Sequence, residues 1–321
     1  MVWNNAYKPL TDMSLTQMRI LLICVISLFF LAGCSNTPPK PVTANSAPAP
    51  LEPTAKKTLK IGLALGGGAA RGFAHVGVIA VLEEAGLKPQ LVVGTSAGSL
   101  VAALYASGLT SAQLKQTALS LQEVAITDWM LPIFGRGMFR GDALARYVNE
   151  LVLSRLIDAM PMPLGIVATD LNTGGAVLFQ KGDTGTAVRA SSAVPAVFVP
   201  VKINGREYVD GGLVSPVPVR FARQMGADVV VAVDISNPPE ANANAASDTL
   251  QILLQTFAIM GKSINHYELK EADVVVRPSL AGLKSADFSS RQRAIDAGRT
   301  AMLAALPALK ARLAAGAVNS N

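Results

Sequence analysis

A nucleophilic serine is the first chemistry that this sequence offers. Ser96 stands at the centre of a G-x-S-x-G pentapeptide, between Gly94 and Gly98. Apolar residues 91–93 precede it as a predicted buried strand, and the alanine- and leucine-rich run 99–105 follows with helical character. Strand, tight turn and helix is the context in which this pattern forms a nucleophile elbow. The pentapeptide alone also fits a plain turn that caps a helix. Other parts of the sequence are needed to distinguish a nucleophile elbow from such a turn.

A glycine-rich loop lies one predicted strand earlier. It contains Gly66, Gly67 and Gly68, followed by Arg71, and it joins a strand to a helix, where backbone N–H groups can hold an anion. A dinucleotide-binding loop needs glycine at the position of Arg71, and a P-loop needs Gly-Lys-Ser/Thr. Neither pattern is present. An oxyanion hole is the third interpretation, and it alone requires a nucleophilic serine nearby.

Asp210 is the candidate base. It ends a predicted strand and precedes Gly211 and Gly212, which allow a close approach of the backbone. A carboxylate can take the Ser96 proton only if burial raises its pKa from about 3.9 and the oxyanion loop stabilises the alkoxide. An aspartate in D-G-G is also common in β-turns, so a structural role stays open.

The two histidines offer a second arrangement. A triad in the chain order Ser96, Asp210, His266 is possible, but His266 lies within a predicted amphipathic helix, where a surface position is commoner. His75 lies on the helix after the glycine loop, and we expect it to pack against or orient that loop. A two-residue device of Ser96 and Asp210 is therefore favoured.

Strand and helix patterns alternate from residue 59 to about residue 315. This alternation predicts an α/β fold, a three-layer sandwich in which a mostly parallel sheet is covered by helices on both faces. One of the predicted helices is amphipathic and spans residues 142–157. Two consecutive strand–loop–helix units place the loops around Gly67 and Ser96 at one edge of the sheet, where open α/β sheets carry their sites.

A dense apolar segment at residues 126–140 has two interpretations. Trp129, Phe134, Met138 and Phe139 are interrupted by Pro and Gly, and two arginines follow. The segment can be core and turn, or it can be a lid or lipid-contact surface beside basic residues. The sequence does not choose between them.

Bulk composition narrows the classes of function. The 321-residue chain is half apolar, and its net charge of +6 is not gathered into a basic stripe. Aromatic residues are sparse, so nucleic acid is not expected as a partner. The two cysteines, Cys24 and Cys34, both lie near the N-terminus, and the chain has two histidines, so we expect neither a disulfide framework nor a metal site. No cofactor is predicted, and the oligomeric state is left open.

The N-terminal region predicts export and a lipid anchor. A positive charge, an apolar stretch and small residues lead to Cys34, which is the layout of a signal peptide over residues 1–34, with translation from Met1 or Met18. The Leu-Ala-Gly-Cys ending resembles the bacterial lipobox, in which the cysteine is acylated; the serine after it favours an outer membrane, facing the periplasm. An ordinary signal peptide cut nearby is the alternative. Residues 35–58 are proline-rich and predict a tether.

Taken in order, the motifs resemble those of a patatin-like phospholipase, closest to the bacterial branch related to neuropathy target esterase. They are the loop at 66–72, the pentapeptide at 94–98, a proline-bearing segment at 191–200 and D-G-G at 210–212. The resemblance extends over about residues 59–234, and the predicted patatin-like hydrolase domain spans 59–315.

The resemblance implies a serine–aspartate dyad that hydrolyses lipid acyl esters through an acyl-enzyme, without a metal. Ser96 is then the nucleophile and Asp210 the base. The amides of residues 66–68 form the oxyanion hole, and Arg71 supports that loop. Phospholipid or lysophospholipid is the expected substrate. A non-catalytic lipid-binding lipoprotein and an acyltransferase are the alternatives on the same fold.

Overall fold

The computed structural model describes four stretches of the chain, which are residues 59–121, 137–236, 249–283 and 288–318. The predicted signal peptide, Cys34 and the tether lie outside these residues, and so do Trp129 and Phe134 of the apolar segment. Met138 and Phe139 end that segment in a short, half-buried strand, where the Phe139 ring lies 5.5 Å from the ring of Phe198. For this end of the segment, the core interpretation fits.

The described residues all belong to one contact-defined unit, Thr54–Asn321. Its buried hydrophobic side chains run from Ile61 to Leu309. Residues 54–321 therefore contain the hydrophobic core formed by the described residues and are expected to fold by themselves. None of the helices described in this unit is long and apolar enough to cross a bilayer.

Within the described stretches, eight strands form a central sheet and two form a small parallel pair. In chain order they are β1 Ile61–Leu65, β2 Leu91–Thr95, β3 Gly137–Phe139, β4 Leu164–Asp170, β5 Ala176–Phe179, β6 Ala196–Phe198, β7 Val201–Ile203, β8 Arg206–Asp210, β9 Val229–Val233 and β10 Val274–Val276. Strand pairing follows the path β10-β9-β1-β2-β4-β8-β7, and β5 also pairs with β4. The five strands from β10 to β4 run parallel, whereas β5 and β8 run antiparallel to β4.

Helices cover both faces of this sheet. The described helices are α1 Ala74–Glu84, α2 Ala97–Ala106, α3 Ser111–Ser120, α4 Asp142–Leu151, α5 Thr184–Ser191, α6 Val219–Gln224, α7 Thr249–Glu268 and α8 Arg291–Val318. On one face Leu63 and Val92 pack with α1, α2, α3 and α8, and on the other Ala64 and Val93 pack with α6. Strands β1, β2 and β9 are buried along their whole length, as strands covered on both faces must be. The predicted α/β fold with a mostly parallel sheet is confirmed.

Two helices end at places that the sequence did not predict. The helix expected over 142–157 stops at Leu151, because Leu153 and Ser154 take positive φ values of 55° and 53°. A helix cannot continue through two such residues. In contrast, α8 continues to Val318, past the predicted domain end.

Candidate active site

Two strands that meet end to end bring Ser96 and Asp210 together. The last residue of β2, Thr95, pairs with Val167 of β4, and the last residue of β8, Asp210, pairs with the adjacent Ala168. Because β5 occupies the other edge of β4 at this level, β2 and β8 share one edge and their carboxyl ends face each other. The Ser96 side chain, one residue past β2, lies close enough to the Asp210 carboxylate to lower its pKa.

Ser96 occupies a strained turn between β2 and α2. Its backbone lies at φ 53° and ψ −125°, which is unfavourable for a residue with a side chain. A Cβ on Gly94 would lie 2.3 Å from the Gly98 carbonyl oxygen, and a Cβ on Gly98 would lie 2.2 Å from the Leu65 carbonyl oxygen. The close approach of the chain thus requires both flanking glycines of the G-x-S-x-G pattern.

Ser191, which sequence reasoning missed as a site residue, holds the backbone of this turn. The Ser96 N–H donates to Ser191 Oγ at 2.8 Å, and the Ser191 hydroxyl donates to the Val167 carbonyl at 2.5 Å. Ser191 is the last residue of α5 and is fully buried. Its one sequence signal was its place in the proline-bearing segment 191–200, which does not reveal either partner. The two bonds fix the orientation of the Ser96 amide.

Replacing Ser191 with alanine is expected to slow turnover more than it weakens substrate binding. The change deprives the Ser96 N–H and the Val167 carbonyl of their partner, and an unsatisfied buried group costs about 1–3 kcal/mol. Because the strained turn is then less well fixed, we expect kcat to fall about 10- to 100-fold with little change in KM. Kinetics on a soluble p-nitrophenyl ester measure this split, with Ser107→Ala at the end of α2 as the control. An increase in KM without a loss of kcat would contradict the positioning role.

Asp210 is buried at the end of β8, with its carboxylate held in place. Its Oδ1 accepts a hydrogen bond from Gly212 N at 2.7 Å. Its own N–H donates to Ala193 O at 2.9 Å, and its carbonyl accepts from Thr169 Oγ1 at 2.8 Å. Burial raises the pKa of Asp210 to about 6, although the nearby Ser96 side chain and the hydrogen bond from Gly212 act in the opposite direction. The carboxylate is therefore a stronger base than that of an exposed aspartate.

The two residues after Asp210 are glycines because the backbone there lies too close to neighbouring atoms to leave room for a side chain. A Cβ on Gly211 would lie 2.2 Å from the Val167 carbonyl oxygen. Gly212 brings its N–H to the Asp210 carboxylate, and a Cβ there would lie 3.0 Å from Oδ1. The D-G-G sequence thus forms a turn and also allows the backbone beside Asp210 to pack closely against β4.

Two of the three loop amides assigned to the oxyanion hole are engaged elsewhere. Gly66 N donates to Val233 O at 3.0 Å. Gly67 N donates to Pro216 O at 2.9 Å. The sequence-based assignment is wrong for these two amides, because β9 and the loop after β8 already accept their hydrogen bonds. Gly68 N has no acceptor among the described residues, and Gly68 lines the site cavity. Of the three amides of residues 66–68, the Gly68 N–H is therefore the one available to stabilise an oxyanion.

Arg71 and His75 hold the glycine loop from the protein interior. Arg71 Nε donates to Gly68 O at 3.3 Å, which agrees with the implied supporting role. Burial lowers the pKa of Arg71 to about 10, against the attraction of Asp234, so the guanidinium stays charged at neutral pH. His75 Nε2 bonds Gly66 O at 2.8 Å. Burial lowers the pKa of His75 to about 4, so the neutral ring donates through Nε2 and orients the loop as expected.

Neither histidine of the chain occupies the position of a catalytic base. His75 is bonded to the loop carbonyl of Gly66. His266 is exposed on α7, where its ring lies edge-on to Tyr267 with centroids 5.1 Å apart. The residues that line the cavity around Ser96 include neither histidine. The triad weighed in the sequence is therefore not formed.

A cavity of about 410 Å³ opens over Ser96 and Asp210. The glycine loop and Arg71 form its polar side. Its apolar walls come from the segments near residues 194 and 213 and from α7, and they include Val194, Pro195, Leu213, Pro216, Leu254 and Phe257. Its size is typical of small-molecule sites, and its apolar walls suit an acyl chain beside the reacting serine.

Comparisons with known proteins show the family to which the chain belongs. The profile of the patatin-like phospholipase family matches residues 63–223, which is half of the chain. An uncharacterized NTE family protein of Mycobacterium tuberculosis is 35% identical over 201 residues, covering 62% of this chain and 56% of that protein. Human patatin-like phospholipase domain-containing protein 6 is 32% identical over 232 residues, covering 70% of this chain and 16% of that protein. The chain thus spans about half the length of the mycobacterial relative.

The fold and the site together define a class. The crystal structure of VipD from Legionella pneumophila has a similar fold, with a TM-score of 0.51 at 16% identity over 78% of this chain and 67% of that one. A serine on a tight strand–helix turn beside a buried carboxylate is the kind of site that serine hydrolases use. With the family match, the chain belongs to the patatin-like phospholipase family, whose members are lipid hydrolases.

Proposed function

We propose that this chain hydrolyses acyl esters of phospholipids or lysophospholipids, with Ser96 as nucleophile and Asp210 as base. One observation carries the proposal: the Ser96 side chain lies beside the buried Asp210 carboxylate, and both line one apolar-walled cavity. Membership of the family supports lipid hydrolysis in general. The apolar walls favour an ester whose acyl part is a hydrocarbon chain.

The proposed reaction has two halves. Ser96 Oγ attacks the ester carbonyl while its proton passes to Asp210, and the oxyanion is held by the Gly68 N–H at the start of the helical loop. The tetrahedral intermediate collapses when the alcohol leaves with the proton from Asp210, and the acyl group stays on Ser96. Water then attacks the acyl-enzyme and gives its proton to Asp210. Collapse of the second intermediate releases the fatty acid and returns the proton to Ser96.

Burial makes an aspartate suitable for this task. A general base works best when its pKa is near the operating pH, and burial raises the pKa of Asp210 to about 6. The charge of Arg71, bonded to Gly68 O, lies on the side of the cavity where the oxyanion forms. The site therefore combines a basic carboxylate with a positive environment for the developing negative charge.

The pH dependence of hydrolysis follows from this pKa. Asp210 must be ionised to accept a proton, so we expect kcat/KM to fall about tenfold per pH unit as the pH drops below about 6, and to level off above about 7. A pH–rate profile on a soluble p-nitrophenyl ester measures it, with thermal melting at each pH to verify that the protein stays folded. A rate that stays flat down to about pH 4 would show that a group other than a raised-pKa carboxylate is the base.

Product analysis tests the substrate class. Residues 54–321 are incubated with phospholipids and lysophospholipids, and the released fatty acids and lysolipids are quantified. Release of free fatty acid is the expected outcome. Transfer of the acyl group to an added alcohol in preference to water would instead identify an acyltransferase. Retention of lipid without any turnover would identify a binding protein and overturn the proposal.

We also propose that the protein is anchored by an acylated Cys34 to a bacterial outer membrane, facing the periplasm. The signal-peptide pattern ending at Cys34 and the proline-rich residues 35–58 support this location. Growth of the expressing bacterium with a clickable palmitate analogue should label the full chain and leave Cys34→Ser unlabelled. Equal labelling of both would contradict the anchor.

A further inference from the structure

Helix α7 exposes an apolar face beside the candidate active site. Four large side chains lie on it, Ile252, Ile259, Met260 and Tyr267, with 56, 51, 47 and 70% of their surface exposed. Their spacing of seven, eight and fifteen residues from the first places them on one side of the helix. We call these four residues the outer face of α7. Apolar side chains gathered in one exposed area mark an interaction surface.

The opposite side of the same helix lines the cavity. Leu254, Phe257, Ala258 and Gly261 face the space over Ser96. Helix α7 is therefore the partition between the candidate substrate cavity and the exterior, with apolar side chains on both sides. Thr256 and Ser263 also lie on the outer side, but an outer side that only met water would not carry four large apolar residues.

Two lysines lie near the outer face, and the acidic residues Glu268 and Glu271 follow it in the chain. Residues 249–267 contain no aspartate or glutamate, and Lys262 is the one lysine or arginine among them. Lys270 follows the helix, with its ammonium 5.1 Å from the ring centroid of Tyr267. An apolar face edged by cations and a tyrosine is typical of helices that lie in the headgroup boundary of a bilayer.

The C-terminal end of α7 is fastened to the nucleophile turn. Ser215 Oγ donates to Glu268 Oε1 at 2.6 Å, and Glu268 is buried. The Ser215 carbonyl accepts a hydrogen bond from Thr95 Oγ1 at 2.9 Å, and Thr95 directly precedes Ser96. These hydrogen bonds fix the position of α7 relative to Ser96. Anything that binds to the outer face of α7 therefore lies at a defined distance from Ser96.

We infer that the outer face of α7 docks the protein on a lipid surface and keeps the cavity beside that surface. The inference rests on the proposed function, because a lipid substrate could then reach Ser96 without crossing water. A second copy of the chain is the competing occupant. However, a stable protein interface uses about 20–30 residues a side, whereas the outer face is one side of a single helix. Interfacial docking needs only apolar side chains at the headgroup boundary.

A site-specific fluorescent probe tests the docking. Residues 54–321 contain no cysteine and lack the N-terminal apolar stretch, which would bind vesicles by itself. Ile259→Cys and Leu153→Cys therefore each give one attachment point for an environment-sensitive NBD label. Leu153 is 82% exposed and lies after α4, so it is the matched control. Each labelled protein is mixed with vesicles of phosphatidylethanolamine and phosphatidylglycerol, with and without nitroxide quenchers on the acyl chains.

The label at residue 259 is expected to shift to the blue and to be quenched on vesicles, while the label at residue 153 does neither. No shift at residue 259, or equal shifts at both residues, would overturn the inference. A shift at residue 259 that follows protein concentration without vesicles would also overturn it, because the face would then belong to a second copy of the chain.

A paired substitution separates docking from chemistry. Ile259→Ser combined with Met260→Ser is expected to weaken vesicle partitioning roughly 30-fold or more, and Leu153→Ser is not. Hydrolysis of a soluble short-chain ester should be unchanged in both, because none of these side chains lines the cavity. Unchanged partitioning in the paired variant would defeat the docking inference alone. Absence of ester hydrolysis in the unsubstituted protein would instead count against the proposed function and leave the docking result standing.

Discussion

Ser96→Ala is expected to lower hydrolysis of a soluble p-nitrophenyl ester by at least about 10⁴-fold. The second hydroxyl that lines the cavity, Ser236, donates to Asp234 Oδ1 at 2.6 Å and is not hydrogen-bonded to Asp210. It therefore cannot take over as an activated nucleophile. Initial rates measure the effect, and Ser236→Ala is the matched control that removes a cavity hydroxyl without touching the dyad.

The fold should survive the loss of the Ser96 hydroxyl. The turn at residue 96 is held by the Ser96 N–H bond to Ser191 and by its flanking glycines, none of which involves the side chain. Circular dichroism should therefore show an unchanged fold. Near-normal rates in Ser96→Ala would end the nucleophile assignment, as would a loss of rate in Ser236→Ala of the same size.

Asp210→Asn is expected to lower activity and raise stability at once. An amide cannot accept the Ser96 proton, so we expect the rate to fall about 10³-fold or more. The isosteric amide can still accept the Gly212 N–H bond. It also removes a buried negative charge, and burial raises the pKa of Asp210 to about 6.

The stability gain has a definite pH dependence. A carboxyl whose pKa is raised on folding binds its proton more readily in the folded state, so the carboxylate destabilises the fold above about pH 6 and this cost fades as the pH falls towards about 4. Asp210→Asn should therefore be more stable than the wild type by up to about 3 kcal/mol near pH 8, and about equally stable near pH 4. Urea denaturation at the two pH values measures this difference. A variant that is less stable at pH 8 would show that the carboxylate is structural.

The sequence located the residues of the candidate site but not their detailed geometry. The tight turn around Ser96 could be read from its glycines, because few residues tolerate such close backbone contact. The pairing with Asp210 could be proposed only from motif order. What brings the two side chains together is the shared edge of β4, where β2 and β8 meet at Val167 and Ala168. The pairing register of these strands is a property of the folded sheet, and no local sequence pattern reveals it.

The same limit explains the errors at the glycine loop. Which amides of residues 66–68 stay available depends on β9 and on the loop after β8, whose carbonyls engage Gly66 and Gly67. Ser191 was missed for a similar reason, since its two partners are distant in sequence. Long-range hydrogen bonds of this kind follow from packing, whereas strand and helix positions follow from local hydrophobic periodicity.

Covalent labelling tests the central claim most directly. A fluorophosphonate probe reacts with an activated serine, and peptide mass spectrometry locates the adduct. At pH 8 we expect a single adduct on the peptide that contains Ser96, strongly reduced in Asp210→Asn and absent in Ser96→Ala. An adduct on a different serine, or no adduct on a folded and otherwise intact protein, would contradict the assignment of Ser96 as a nucleophile activated by Asp210.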